Sequence, residues 1–133
     1  MPLQLPARFK PTHQTAGLKG FPAVDVFAQA HTPVLSPQTG RVVKLSGHEP
    51  TPDAEPGGPY GWSIYLSVDK YHLPPDGGTY YLTHLGSRPK SVYVGACIAR
   101  GETIGTVADY ASATHGVTAN HVHMGFHPGK WEA

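Results

Sequence analysis

The sequence has few charged side chains, a single cysteine and no long apolar run. Charged residues make up 14% of the 133 residues and the formal net charge is +1, so we expect no surface for nucleic acid or acidic membranes. Cys97 has no second cysteine to pair with, and its small apolar neighbours predict a buried thiol. No membrane span and no export signal are recognisable, which predicts a soluble chain.

A helical repeat of apolar residues is also missing. Glycine (16) and proline (14) are abundant instead, and both residues end regular elements. This composition favours one small domain of short strands. We expect an irregular N-terminal arm over residues 1–20, the domain itself over residues 21–133, and a long proline-rich loop over residues 47–60.

Short runs of alternating or β-branched residues indicate an all-β fold, a small antiparallel sheet or sandwich with long irregular loops. The clearest strand is Gly61–Val68, and a turn rich in proline and glycine connects it to Thr79–Leu85 as an antiparallel partner. The other predicted strands are Val24–Phe27, Thr32–Pro37, Gly40–Leu45, Ser91–Val94, Glu102–Val107 and His121–Phe126.

His121 and His123 form the sharpest local signal. Residues two apart in a strand point to the same face, so both imidazoles can converge on one point. Zinc sites commonly combine histidine nitrogens with a carboxylate, and a catalytic site keeps one position open for water. Two exposed histidines on the face of a strand would give the same pattern.

Asp25 and His84 are the other candidates for chemistry. Asp25 lies among β-branched and aromatic residues, where a carboxylate is costly to bury unless a partner such as a metal pairs with it. The alternative for Asp25 is the solvent-facing side of an edge strand. His84 is near the end of an apolar strand.

Five ordered segments span about 100 residues: residues 22–34, 36–43, 81–85, 94–107 and 121–124. Together they resemble the lysostaphin-like, LytM-type zinc endopeptidases, which cut peptidoglycan cross-bridges. The resemblance implies the fold of those peptidases, Asp25 and His123 as zinc ligands, and His84 and His121 as catalytic histidines beside the metal-bound water.

The departure from the family pattern lies upstream of Asp25. The family places a histidine ligand about four to seven residues before this aspartate, but Leu18–Phe21 contains none and includes Lys19. Two protein ligands hold zinc more weakly than three, so the sequence predicts zinc that is weakly bound or absent. His13, His31 or His48 could supply the third ligand from elsewhere in the chain.

Three functions remain open from the sequence. The first is a peptidase domain with a degraded metal site, kept as a structural or wall-contacting component of a phage tail, with peptidoglycan peptide and other tail proteins as partners. It would be located in the virion or released by host lysis. The second is an active zinc-dependent peptidoglycan endopeptidase with a non-standard third ligand. The third is a sugar- or peptide-binding β domain unrelated to peptidases.

Overall fold

The computed structural model describes residues 1–15, 21–51 and 60–131 of the chain. Ten strands and one four-residue helix form within these ranges, as expected for an all-β fold. In chain order they are β1 (Leu3–Gln4), β2 (His13–Gln14), β3 (Pro22–Phe27), β4 (Pro33–Leu35), β5 (Gly40–Gly47), β6 (Trp62–Val68), β7 (Gly78–Leu85), β8 (Cys97–Ile98), β9 (Thr103–Thr106), α1 (Tyr110–Ala113) and β10 (His121–Pro128).

The strands form two sheets. The large sheet has seven strands in the order β2-β3-β10-β7-β6-β5-β8, and every neighbouring pair in it is antiparallel. The small sheet has the order β1-β4-β9, in which β1 and β4 run parallel. The predicted antiparallel pairing of the strands now named β6 and β7 is confirmed.

One face of the large sheet covers the hydrophobic core. The alternation of each strand directs its apolar residues to that face, and Val122 and Met124 of β10 are fully buried there. The opposite face receives the intervening residues, which include His121 and His123. The fold therefore separates a packed apolar face from a polar face on the same strands.

The N-terminal arm is joined to the domain along its described length. Leu5 is fully buried in the main core, and the Tyr80 hydroxyl donates a hydrogen bond to the carbonyl of Ala7. The backbone N–H of Thr12 donates to the carbonyl of Ala23 at 2.8 Å. Residues 1–15 thus contribute a strand to each sheet, despite their three prolines.

Two local expectations were wrong. Ser91–Val94 is a turn rather than a strand, because the neighbouring pairing with β5 is made by Cys97 and Ile98. Cys97 is exposed, since β8 lies at the sheet edge and buries Ile98 instead. Residues 110–113 form a short helix whose first turn is capped by the Asp109 side chain.

The predicted loop over residues 47–60 is described only at its ends, and residues 52–59 lie outside the described part of the chain. Gly47 still belongs to β5, and the N–H of His48 donates to the carbonyl of Gly61. Within the described ranges, no helix is long and apolar enough to cross a membrane.

Leu5→Ala should destabilise the protein by about 3 kcal/mol, because it removes a fully buried side chain and leaves a cavity. Urea unfolding followed by circular dichroism measures this change. Val94→Ala is the matched control, since Val94 is 59% exposed and should unfold like the wild type. Equal unfolding midpoints for the two variants would show that Leu5 of the N-terminal arm does not pack in the core.

Candidate metal centre

Asp25 and the two histidines of β10 meet on the polar face of the large sheet. β3 and β10 are paired so that Asp25 lies directly opposite His123, and His121 follows two residues away on the same face. The Asp25 Oδ1 atom lies 3.1 Å from His123 Nδ1 and 3.7 Å from His121 Nε2. The same-face geometry expected from the spacing of His121 and His123 is present.

His13 joins this group from β2. β2 pairs with β3 on the side away from β10, and His13 lies opposite Ala23. Its Nε2 atom is 3.2 Å from His123 Nδ1 and 3.4 Å from Asp25 Oδ1. The sequence offered three histidines that could replace the absent upstream ligand, and the fold brings this one to the aspartate.

The three side chains form a compact set of donors. One donor atom from each of His13, Asp25 and His123 lies within 4.8 Å of the others, and neither His31 nor His48 belongs to this group among the described residues. Lys19, which the sequence placed near the expected ligand position, lies outside the described residues.

His84 reaches the site through an irregularity in β7. Trp62 pairs with Leu85 and Ile64 with Leu82, so β7 carries an extra residue in this interval. His84 has a φ of 68°, a left-handed conformation that costs free energy outside glycine and is concentrated at functional sites. The bulge lets Leu82 and Leu85 both face the core while the His84 ring lies 4.9 Å from the ring of His121.

His13 and His123 each have a second ring nitrogen, and this nitrogen is also hydrogen-bonded. His13 Nδ1 is 2.9 Å from the Thr12 hydroxyl, and His123 Nε2 is 2.9 Å from the Thr15 hydroxyl. These two rings therefore direct one nitrogen toward the donor cluster and the other toward a threonine. The sequence gave no signal for either threonine, because their proximity to the histidine rings depends on the pairing of β2 with β3.

His84 and His121 are held differently, by backbone carbonyls. His84 Nδ1 lies 3.0 Å from the carbonyl of Tyr60, and His121 Nδ1 lies 2.7 Å from that of Ala119. A carbonyl only accepts, so each Nδ1 carries the proton and donates. In the neutral form of each ring, Nε2 therefore keeps its lone pair.

Burial controls the charge of two of these rings. Desolvation lowers the pKa of His84 to about 4, against a smaller raising effect of the Tyr60 carbonyl. Desolvation also lowers the pKa of His123, although the Asp25 carboxylate opposes that shift. Near neutral pH both rings are therefore uncharged, the state in which histidine can bind a metal or accept a proton.

Hydroxyl and aromatic groups continue the polar face beyond the histidines. Ser63 is hydrogen-bonded to Thr83 at 2.5 Å and lies 3.4 Å from the Tyr81 hydroxyl. The Tyr81 ring lies 6.1 Å from that of His123 and 4.9 Å from that of Tyr65. A row of aromatic rings thus leads away from the donor cluster along the sheet.

His84→Asn should flatten the loss of stability between pH 7 and pH 4 in the metal-free protein. The buried wild-type ring resists protonation while the unfolded chain takes up a proton, so the folded state loses about 3 kcal/mol as pH falls from 6.5 to 4. Asparagine tolerates the left-handed backbone and cannot titrate. Urea midpoints measured at several pH values give the slope.

His115→Asn is the matched control for this experiment. His115 also has a positive φ, of 54°, but its side chain is exposed, so its replacement should leave the slope unchanged. An identical pH dependence in the wild type and the His84 variant would contradict the assignment of His84 as a neutral, desolvated base.

Comparison with solved structures identifies the same fold in peptidase domains. The catalytic domain of the antimicrobial peptidase lysostaphin from Staphylococcus simulans superposes with a TM-score of 0.56 at 22% identity, covering 94% of this chain and 81% of that one. A variant catalytic domain of the prophage-encoded M23 protein EnpA from Enterococcus faecalis gives 0.56 at 18% identity, covering 92% and 81%.

A third similar structure is Csd3 from Helicobacter pylori, with a TM-score of 0.56 at 18% identity over 97% of this chain and 32% of that one. Comparison of the sequence finds no matching family model and no matching curated protein. The fold predicted from the sequence is therefore confirmed by structure alone: the chain has the fold of the lysostaphin and M23 peptidase catalytic domains.

Proposed function

We propose that the chain is a zinc-dependent peptidase acting on peptides of peptidoglycan, with His13, Asp25 and His123 as the metal ligands. The observation that carries this proposal is the closed triangle of donor atoms. Its three sides measure 3.1, 3.2 and 3.4 Å between Asp25 Oδ1, His123 Nδ1 and His13 Nε2.

The size of that triangle fits zinc. Ligand bonds of about 2.0–2.1 Å in a tetrahedron place neighbouring donor atoms about 3.3 Å apart. Two imidazoles and one carboxylate are a donor set that zinc commonly takes in hydrolytic sites, with the fourth position left for water. Asp25 and His13 have side chains 31% and 37% exposed, so water and substrate have access to this position.

Neighbouring groups also suit a metal site. Histidine ligands usually donate their second ring N–H to an oxygen, which fixes the ring and makes the metal-facing nitrogen a better ligand. The Thr12 hydroxyl stands at this position for His13, and the Thr15 hydroxyl for His123. The alternative is a histidine–aspartate hydrogen-bond network without a metal. Stoichiometric zinc in the purified protein excludes this alternative, and its absence supports it.

Bound zinc would polarise the scissile carbonyl and lower the pKa of a bound water. The protein's own contribution is proton transfer by His84 and His121. Both rings carry their proton on Nδ1, where a backbone carbonyl holds it, and both offer Nε2 as the acceptor. Burial keeps His84 neutral at neutral pH, so its Nε2 lone pair is free to accept a hydrogen bond or a proton in the reaction.

The substrate class follows from two sources of support. The ordered sequence segments resemble enzymes that cut peptidoglycan cross-bridges, and the fold is that of an antimicrobial peptidase catalytic domain. The rings of Tyr81 and Tyr65 continue from the donor cluster along the sheet and offer a surface for an extended peptide.

This proposal favours the active enzyme over the degraded domain that the sequence suggested first. The argument for degradation depended on a missing third ligand, and His13 lies close enough to Asp25 and His123 to supply one. A setting in a phage tail is a separate hypothesis, supported by the similarity to a prophage-encoded protein and decided by whether purified virions contain the chain.

Purified wild-type protein should bind one zinc ion per chain, and His13→Ala should weaken binding by more than about 100-fold, beyond the usual cost of losing an outer-shell partner. Competition with a chromogenic chelator measures the affinity. His48→Ala is the control, because His48 is exposed and its ring is bonded to the Glu49 carbonyl. Weaker binding in His48→Ala but not in His13→Ala would refute the ligand assignment.

Zinc-loaded protein should release soluble peptides from purified peptidoglycan. His121→Ala should lower that rate by about 100-fold or more, in the range expected for a group that transfers protons, while zinc stays bound. Chromatography of the released fragments gives the rate, and metal analysis of the same sample gives the occupancy. Zinc binding without cleavage, in wild-type protein, would favour the structural role over the enzyme.

A further inference from the structure

The buried hydroxyl of Thr15 lies beside the His123 ring, on the side opposite the donor cluster. Its Oγ1 atom lies 2.9 Å from His123 Nε2, and Thr15 is 8% exposed. We propose that Thr15 is a positioning residue that fixes the His123 ring with Nδ1 directed at the metal. This inference rests on the proposed metal site and adds a residue outside its ligand set.

The geometry of His123 explains why such a residue is needed. Nδ1 faces Asp25 at 3.1 Å and His13 at 3.2 Å, so the ring must keep this nitrogen inward to act as a ligand. A half-turn of the ring would put carbon atoms where both nitrogens now lie. The Thr15 hydroxyl opposes that rotation because it bonds the nitrogen and would face a carbon afterwards.

A hydroxyl suits both states of the site. Without metal, the proton on Nδ1 can be donated to Asp25, and Thr15 can donate its own proton to Nε2. With metal on Nδ1, the proton lies on Nε2 and is donated to Thr15 Oγ1. On metal binding one proton would leave Nδ1 to solvent and one would be taken up at Nε2, and rotation of the Thr15 hydroxyl would accommodate this change without movement of the His123 ring.

Thr15 is itself held in place from two sides. Its backbone N–H donates to the carbonyl of Phe21 at 2.9 Å. Gly125, two residues after His123 on the same strand, leaves the space that the hydroxyl occupies, since a Cβ there would lie 2.8 Å from Oγ1. The segment that carries the His13 ligand thus also carries the group that orients His123.

The test compares zinc affinity of the full chain with Thr15→Val, which keeps the shape and removes the hydroxyl, and Thr15→Ser, which keeps the hydroxyl. We expect Thr15→Val to weaken zinc binding by about 10–100-fold, whereas Thr15→Ser should keep most of the wild-type affinity. Thr39→Val is the matched control, because the Thr39 hydroxyl accepts a hydrogen bond from the backbone N–H of Arg100. Equal affinities in the valine and wild-type proteins would overturn the inference.

Gly125→Ala provides a second variant that changes neither ligand nor threonine. The added methyl group should displace the Thr15 hydroxyl and weaken zinc binding in the same direction as Thr15→Val. Thermal unfolding confirms that both variants are folded before affinity is compared. Unchanged affinity in Gly125→Ala, with a Thr15→Val loss, would assign the valine effect to packing and overturn the hydrogen-bond role.

Nitrogen NMR of the histidine rings separates failure of this inference from failure of the metal proposal. In wild-type protein, with or without zinc, His123 should show one ring state, whereas Thr15→Val should show exchange between two. If wild-type protein binds no zinc, the proposed function fails. A His123 ring spectrum that Thr15→Val leaves unchanged overturns the positioning role in either case.

Discussion

One carboxylate oxygen, Asp25 Oδ1, links the histidines that arrive from separate parts of the chain. It lies 3.1 Å from His123, 3.4 Å from His13 and 3.7 Å from His121. All three imidazole nitrogens face this one oxygen, so the carboxylate of Asp25 is the centre around which the histidines gather. The position of Asp25 on β3, between β2 and β10, is what makes such a meeting geometrically available.

The hydrophobic core on the other face of the large sheet determines which side chains lie on the polar face. Val122 and Met124 alternate with His121 and His123, so burying the two apolar side chains fixes the direction of the two histidines. A slip of one residue in the pairing of β10 would bury the imidazoles and expose the core. Hydrophobic packing, more than any polar contact, thus specifies where the donors point.

Much of this arrangement is legible from the sequence, and the remainder depends on long-range pairing. Alternation places His121 and His123 on one face, and the ordered segments point to Asp25 and His84. The bulge that turns His84 toward the site leaves no signal in alternation, because it arises from how β7 is paired with β6. Sequence could not choose among the three candidate histidines His13, His31 and His48, since the choice follows from the pairing of β2 with β3.

The pairing of β2 with β3 also changes how the spacing of the ligands is set. Where two ligands share one strand, their spacing is fixed by the pleat, and any insertion between them destroys the site. Here His13 and Asp25 lie on neighbouring strands, held by backbone pairing rather than by their distance along the chain. The geometry of the two ligands is therefore set by the register of β2 against β3, and a fixed number of residues between the ligands is not what defines this centre.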